Sequence, residues 1–172
     1  DVGQVRMTNE DQAFAITNSK GRVLLIVCDG MGGQNRGDLA SRLAMSIISE
    51  EFKKFPKISN KLNDRFWMRN AIRKANNEIF SESYKNPKYK GMGTTLTAIV
   101  INDKYLVVAQ IGDSRAYTLK NGQLMQITED QTYVDYLYRT GQITKEEILT
   151  HPKRHVLLNA LGINPSVDVD IR

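Results

Sequence analysis

Cysteine is almost missing from this chain: Cys28 stands alone among 172 residues. No internal disulfide can form, which fits a reducing cytoplasm. No His or stabilising cation lies near Cys28 in sequence, so it reads as a buried strand thiol rather than a nucleophile. Histidine is nearly as scarce, with only His151 and His155. Their four-residue spacing would suit a metal clamp on a helix, but Pro152, Lys153 and Arg154 intervene where a zinc peptidase carries Glu. A structural or substrate-contacting role is expected for the pair. No apolar run approaches the ~20 residues of a membrane helix, and no signal peptide is visible. Repeats and low-complexity tracts are absent, as are zinc-finger spacing and RNA-module signatures. The net charge is +5, which permits an acidic partner such as a phosphorylated protein. The cations are dispersed, however, and the densest group (Lys85, Lys88 and Lys90 around Pro87) contains one aromatic, Tyr89. That group reads as solvated surface, and neither nucleic acid nor membrane is expected as a partner. Position 1 is Asp rather than Met, so the chain is expected to be excised from something longer.

What the chain does contain is ordinary in bulk. Hydrophobic residues make up 41% and charged residues 25%, the balance of one globular domain with its own core. Its most specific stretch is Val27-Cys28-Asp29-Gly30-Met31-Gly32-Gly33. The apolar strand Val23 to Cys28 delivers one carboxylate to its end, and three glycines follow within four residues. Glycine lets backbone approach a ligand closely, and carboxylate and carbonyl oxygens suit a hard cation. By itself the run is better read as a tight strand-to-helix turn.

The flanking pattern supplies context. Gln12 to Thr17 and Arg22 to Cys28 form a hairpin about Asn18-Ser19-Lys20-Gly21. With Asn18 facing Gly21, Asp11 lies opposite Cys28 and Glu10 opposite Asp29. Gly37 to Phe52 is an amphipathic helix with Asp38 as N-cap. A second helix covers about Leu62 to Tyr84, with Phe66 and Trp67 expected in the core. Thr94 to Ile101, Lys104 to Ile111, Arg115 to Lys120 and Gln123 to Thr128 read as strands, the last two joined by an Asn121-Gly122 hairpin turn. With Ile101 facing Lys104, Gly112 falls opposite Gly93; with Lys120 facing Gln123, Asp113 falls opposite Asp130. A second acidic, glycine-rich rim results. After Thr132 come a short helix ending at Gly141, a capping box at Thr144-Lys145-Glu146-Glu147, and a third helical turn over Val156 to Leu161.

Five ordered signals then stand together: Arg6-x-x-Asn9-Glu10-Asp11; Asp29-Gly30-Met31-Gly32-Gly33 with Gly37, Ala40 and Ser41 behind it; Gly91-Met92-Gly93-Thr94-Thr95; Gly112-Asp113-Ser114-Arg115-Ala116-Tyr117; and Thr128-x-Asp130. In order, spacing and intervening strands, the chain resembles the bacterial branch of the metal-dependent PP2C-type (PPM) Ser/Thr protein phosphatases over essentially its whole length. The resemblance implies an α+β fold, an α-β-β-α sandwich of two antiparallel sheets flanked by helices. Residues 1–172 would form a single, incomplete phosphatase domain with 132–162 as its helical flap. It further implies Mn²⁺ or Mg²⁺ as cofactor, two ions with a third, weaker site near the flap. Asp29, Asp11 and Arg6 would be the catalytic set, with Arg6 gripping the substrate phosphate through its guanidinium fork. Asp29, the Gly30 carbonyl, Asp11, Glu10 and Asp113 would serve the metals, while Thr94 and Thr95 shape the floor. The implied reaction is hydrolysis of phosphoserine or phosphothreonine in proteins by a metal-bridging hydroxide, opposing a bacterial Ser/Thr kinase, itself an expected partner.

The family pattern also sets expectations that this chain does not meet. Relatives continue past the position of Arg172 with a strand ending in Ser-Asp-Gly and, later, an Asp-Asn pair, both metal-binding. Asp168 and Asp170 lie in an alternating strand pattern and read as solvent-facing, not as replacements. The uncovered sheet edge is expected to dimerise, exchange strands or accept a second fragment. Gln34 and Gln131 stand where many relatives carry His and are read as tuning. A reading from another class is a catalytically inactive, phosphatase-like module that binds phosphoproteins.

Overall fold

The computed structural model describes residues 2–4, 7–32, 36–55 and 60–172. Two strands open the chain, β1 (Asp11–Thr17) and β2 (Val23–Met31), paired antiparallel. Two helices follow, α1 (Arg36–Lys53) and α2 (Lys61–Lys85), then β3 (Gly93–Thr94), β4 (Leu96–Ile101) and β5 (Leu106–Ile111). The hairpin β6 (Tyr117–Lys120) and β7 (Gln123–Gln126) precedes α3 (Tyr133–Arg139), α4 (Lys145–Thr150) and β8 (Asp170–Ile171). The main sheet runs β1-β2-β4-β5-β8, with β3 attached to β2, and β6-β7 forms a separate two-stranded sheet. Among the described residues no helix is long and apolar enough to cross a membrane.

Alternation along β2 decides which face of the main sheet is covered. Leu24, Ile26 and Cys28 are buried with Ala40, Ala44 and Ile48 of α1 and Met68, Ile72 and Ile79 of α2 in one core. Leu96, Ala98 and Val100 of β4 and Val107, Ala109 and Ile111 of β5 join them. The intervening residues Leu25 and Val27 point to the other face and stay 37% and 44% exposed. Asp29 continues their parity, so it projects from the face that the helices do not cover. Burial pushes the Cys28 thiol up to about 12, which keeps it protonated and unreactive.

Several sequence expectations need correction. The first hairpin has a three-residue loop rather than two: Asn18 and Arg22 close it, with Asn18 N–H donating to the Arg22 carbonyl at 2.9 Å. The Asn18 Oδ1 accepts from the N–H groups of Lys20 and Arg22, and Gly21 takes φ of 79°, a left-handed position typical of three-residue hairpins. The register therefore shifts by one, and Asp11, not Glu10, sits opposite Asp29. In the next hairpin Ile101 pairs with Leu106, because Asn102 and Tyr105 close a two-residue loop of Asp103 and Lys104, one position later than expected. Thus Gly112 approaches Thr95 rather than Gly93: a Cβ on Gly112 would lie 2.7 Å from Thr95 Cγ2. The Asn121-Gly122 hairpin keeps its expected register, Lys120 to Gln123.

Asp38 is not the N-cap of α1 but lies in its first turn. The Gly37 N–H is satisfied from outside the helix by Glu10 Oε1 at 3.2 Å. Phe66 is 65% exposed, whereas Trp67 packs on Phe55 with ring centroids 4.4 Å apart. Val156 to Leu161 is not helical. Its backbone pairs with other segments, through bridges from Leu157 to Thr132 and from Leu161 to Thr94, and tertiary pairing overrides the local helical pattern there.

Candidate active site

The site is assembled at the open end of the β1-β2 hairpin. Register places Asp11 and Asp29 directly opposite, on the sheet face away from the helices. Like charges facing across strands repel, and a cation between or beside the carboxylates relieves that repulsion. Gly30, next in β2, packs on Gly37 of α1 so tightly that neither position tolerates a side chain. A Cβ on Gly30 would lie 2.2 Å from the Gly37 carbonyl oxygen, and one on Gly37 would lie 2.5 Å from the Gly30 carbonyl carbon. This contact holds the start of α1 against the strand end.

Glu10 binds the same parts together. Its carbonyl accepts from the Gly30 N–H at 3.1 Å and from Ser41 Oγ at 2.8 Å. Its carboxylate is the one that receives the Gly37 N–H, a favourable position for negative charge at a helix start. Behind Asp29 stand two threonines. Asp29 N–H donates to Thr95 Oγ1 at 3.0 Å, and the Asp29 carbonyl accepts from Thr94 Oγ1 at 3.0 Å and Thr95 N–H at 2.9 Å.

Thr95 also joins this strand end to the second rim. Its hydroxyl lies 2.8 Å from Ser114 Oγ, and the Ser114 carbonyl accepts from Thr97 Oγ1 and Gln110 Nε2. Gly112 and Gln131 exchange two bonds: Gly112 N–H donates to Gln131 Oε1, and Gln131 N–H to the Gly112 carbonyl. Sequence reasoning did not find Gln110; its signal is a fully buried amide in the otherwise apolar strand β5. Asp113 follows in this turn, half-buried, and burial raises its carboxyl above the ordinary range. Asp130, by contrast, is engaged by Arg115 in a bidentate fork, with Nε and Nη2 within 3.0 Å of its oxygens.

A cavity of about 750 Å³ opens between this rim and α3-α4, lined by Asp113, Arg115, Asp130, Lys145, Arg154 and His155 among others. The two histidines do not form a clamp: His151 ends α4 and accepts the Lys153 N–H, and His155 faces the cavity. The capping box at Thr144 and Glu147 is present as expected. Asp168 is exposed, and Asp170 pairs with Arg172.

The structure thus brings Glu10, Asp11, Asp29 and Gly30 to one strand end and keeps Asp113 on a neighbouring rim. Among the described residues no three His, Cys, Asp or Glu side chains gather closely enough to hold a metal ion. The opposed carboxylates with an adjacent glycine carbonyl still have the hard-oxygen chemistry that a divalent cation requires, and they fit as part of a site. Arg6, Gly33 and Gln34 lie outside the described residues.

The fold and this strand-end constellation define a class. The family model for protein phosphatase 2C matches residues 4–162, and the chain belongs to that family. It is 39% identical over 170 residues to Serine/threonine phosphatase stp of Listeria monocytogenes, covering 99% of this chain and 68% of that protein. It is 39% identical over 163 residues to Serine/threonine protein phosphatase PstP of Mycobacterium tuberculosis, covering 94% of this chain and 30% of that one. The crystal structure of Serine/threonine phosphatase Stp1 from Staphylococcus aureus superposes with TM-score 0.93 at 37% identity, covering 100% of this chain and 67% of that one. The catalytic domain of PstP in complex with two manganese ions gives TM-score 0.81 at 36% identity, covering 100% and 69%.

Proposed function

We propose that this PP2C-family protein-serine/threonine phosphatase hydrolyses phosphoserine and phosphothreonine in proteins by direct attack of water, with divalent cations held at the β1-β2 strand end. The observation that carries this reading is the Asp11–Asp29 opposition in a chain matched to the family over residues 4–162. Asp29, Asp11 and the Gly30 carbonyl would hold Mn²⁺ or Mg²⁺, and Asp113 would contribute near the flap. When bound, such cations lower the pKa of water and neutralise charge on phosphoryl oxygens.

The chain's own residues do the rest. Glu10 fixes the start of α1 against Gly30 and so sets where the Gly30 carbonyl lies. Thr94 and Thr95 hold the Asp29 backbone, which leaves its carboxylate oriented by the strand. Arg6 is assigned to the substrate phosphate, whose oxygens match its planar fork. Cys28 takes no part: it is buried and its thiol is pushed up to about 12, so no thiolate is offered to phosphorus. Residues 132–162 form the flap of a single domain, anchored by the buried Val134 and Leu137 of α3, while α4 buries no residue and is the part free to meet substrate. The substrates are phosphoproteins of the cytoplasm, a cognate Ser/Thr kinase among them, and the sheet edge offers a site for self-association that light scattering would detect. The alternative, a phosphoprotein-binding module without activity, predicts binding with no turnover.

The test is phosphate release from a phosphothreonine peptide with and without Mn²⁺. Release that needs the ion and vanishes in Asp29→Asn is the expected result; release unaffected by that substitution would exclude the strand-end site.

A further inference from the structure

Helix α2 carries a second, outward stripe that the fold does not use. At 100° per residue, Leu62, Phe66, Arg69, Arg73, Phe80 and Tyr84 fall within a sector of roughly 60°. Of the buried residues, Asn76 lies nearest, about 20° beyond Arg69, and Met68, Ala71, Ile72, Ala75 and Ile79 lie farther round the helix. Leu62 is 75% exposed, Phe66 65% and Tyr84 82%, and Phe80 is partly exposed. The stripe runs about 33 Å, from a rise of ~1.5 Å per residue. Leu62 with Phe66 and Phe80 with Tyr84 form two apolar pairs about 21 Å apart along the helix, with Arg69 and Arg73 between them, and large apolar side chains paired on one solvent-facing ridge mark an interaction surface.

The charge on this ridge is positive, and Arg69 at its edge also lines a cavity with Glu129, Asp168 and Asp170. Arg69 and Arg73 interrupt the apolar positions, and the ion pairs among the described residues involve neither of them. Asn70 and Asn77 border the stripe, and no Asp or Glu lies on it. Exposed Lys85 and Lys88 extend the positive charge beyond Tyr84. The complement is a segment with apolar anchors and carboxylates between or beside them.

We propose that this face of α2 docks an acidic amphipathic helical segment of a partner protein, remote from the catalytic rim. Aromatic residues and Arg are the side chains that anchor interfaces best, and an amphipathic helix laid along the ridge meets Leu62, Phe66, Phe80 and Tyr84 with its apolar positions. Its carboxylates meet Arg69 and Arg73. A second copy of this chain fits poorly, since two-fold pairing of α2 about its middle sets Arg73 against its own counterpart. A membrane surface fits poorly too: two arginines within the stripe supply little attraction to anionic lipid. The proposal is independent of the catalytic reading, because it is measured by binding and not by turnover.

The probe is a fluorescein-labelled synthetic helical peptide with leucines at heptad spacing and flanking glutamates, and its control carries lysines in place of the glutamates. The acidic peptide is expected to saturate by anisotropy and to shift backbone amide resonances along α2. Binding should weaken about tenfold in Phe66→Ala and again in Arg73→Glu, and also when salt rises from about 0.05 M to about 0.5 M. The lysine peptide should bind at least about tenfold more weakly. Circular dichroism checks that each variant is folded; if Phe66→Ala is not, the exposed Arg73→Glu decides alone. Equal affinity of Arg73→Glu and parent overturns the proposal, as do resonance shifts confined to other elements. So does binding to phosphatidylglycerol vesicles without binding of the peptide, or a dimer that Phe66→Ala abolishes.

Discussion

The two ends of the β1-β2 hairpin hold charge in opposite ways. At the turn end, Arg22 leaves the hairpin and reaches Asp64 of α2 in an ion pair whose side chains are 7% and 0% exposed. Tyr105 donates a further bond to the same carboxylate at 3.0 Å, and the Arg22 guanidinium lies 4.7 Å above the Phe55 ring. Burial, and then the bond to Asp64, raise the Tyr105 hydroxyl above its ordinary pKa. The protein supplies the counter-charge itself, and the result ties sheet to helix. At the open end, the same two strands set Asp11 against Asp29 with equal sign. Like charges placed directly opposite on paired strands repel, and that cost lies at the strand end to which the cations are assigned. Opposite charge at the turn end ties sheet to helix; equal charge at the open end marks the strand end to which the cations are assigned.

The largest effect should come from the open end. Asp29→Asn is expected to lower Mn²⁺-dependent hydrolysis of a phosphothreonine peptide by about three orders of magnitude, ~4 kcal/mol at ~1.36 kcal/mol per decade. Its melting temperature without metal should not fall. The turn end should respond in the reverse sense. Asp64→Asn leaves Arg22 buried without its counter-charge, and one-sided removal of such a pair costs roughly 3–5 kcal/mol. Urea unfolding should show that loss, while the specific activity of the protein that remains folded should change less than about threefold. If Asp64→Asn abolished activity in folded protein, the division between the two ends would be wrong.

Between these extremes lies the hinge where strand meets helix. Gly37→Ala forces a Cβ to within 2.5 Å of the Gly30 carbonyl carbon, and backbone on both sides leaves little room to yield. A cost of about 2–3 kcal/mol is expected, visible in the denaturation midpoint. Because Gly30 must move, the apparent Mn²⁺ affinity in the activity assay should weaken together with stability. Loss of stability at unchanged metal dependence would separate the helix start from the site.

The same contrast explains what was legible in the sequence. Alternation in Val23 to Cys28 and helical spacing in Leu39 to Ile48 follow from burial on one face, so the elements could be read from residue type. The Asp-Gly-Met-Gly-Gly run, with its close approach and open backbone, marked the strand end at once. Register was harder, since it depends on loop closure by Asn18 and Asn102, whose side chains set a three-residue loop and a two-residue loop one position later than expected, a choice that composition does not reveal. That choice put Asp11 rather than Glu10 across from Asp29. Long-range ties were also invisible: Glu10 reaching the Gly37 N–H is a contact between residues 27 apart, so the local Asp38 looked the better cap. Phe66 was misread because an exposed aromatic on a helix has the same spacing as a buried one.

The smallest predicted effect tests the comparison most directly. If Asp11 and Asp29 are opposed for the sake of a cation, removing one charge should help the metal-free fold. Like charges directly opposite on neighbouring strands cost several tenths of a kcal/mol, within the roughly 0.2–1 kcal/mol range of cross-strand pairs. Asp11→Asn should then raise metal-free stability by about 0.5 kcal/mol in urea unfolding at low salt, and the gain should shrink as salt screens the repulsion. Saturating Mn²⁺ should reverse the order, because a ligand stabilises the native state in proportion to its affinity, and the parent keeps both carboxylates. A variant less stable than the parent without metal would mean that Asp11 is already balanced within the chain. The open end would then be built like the turn end.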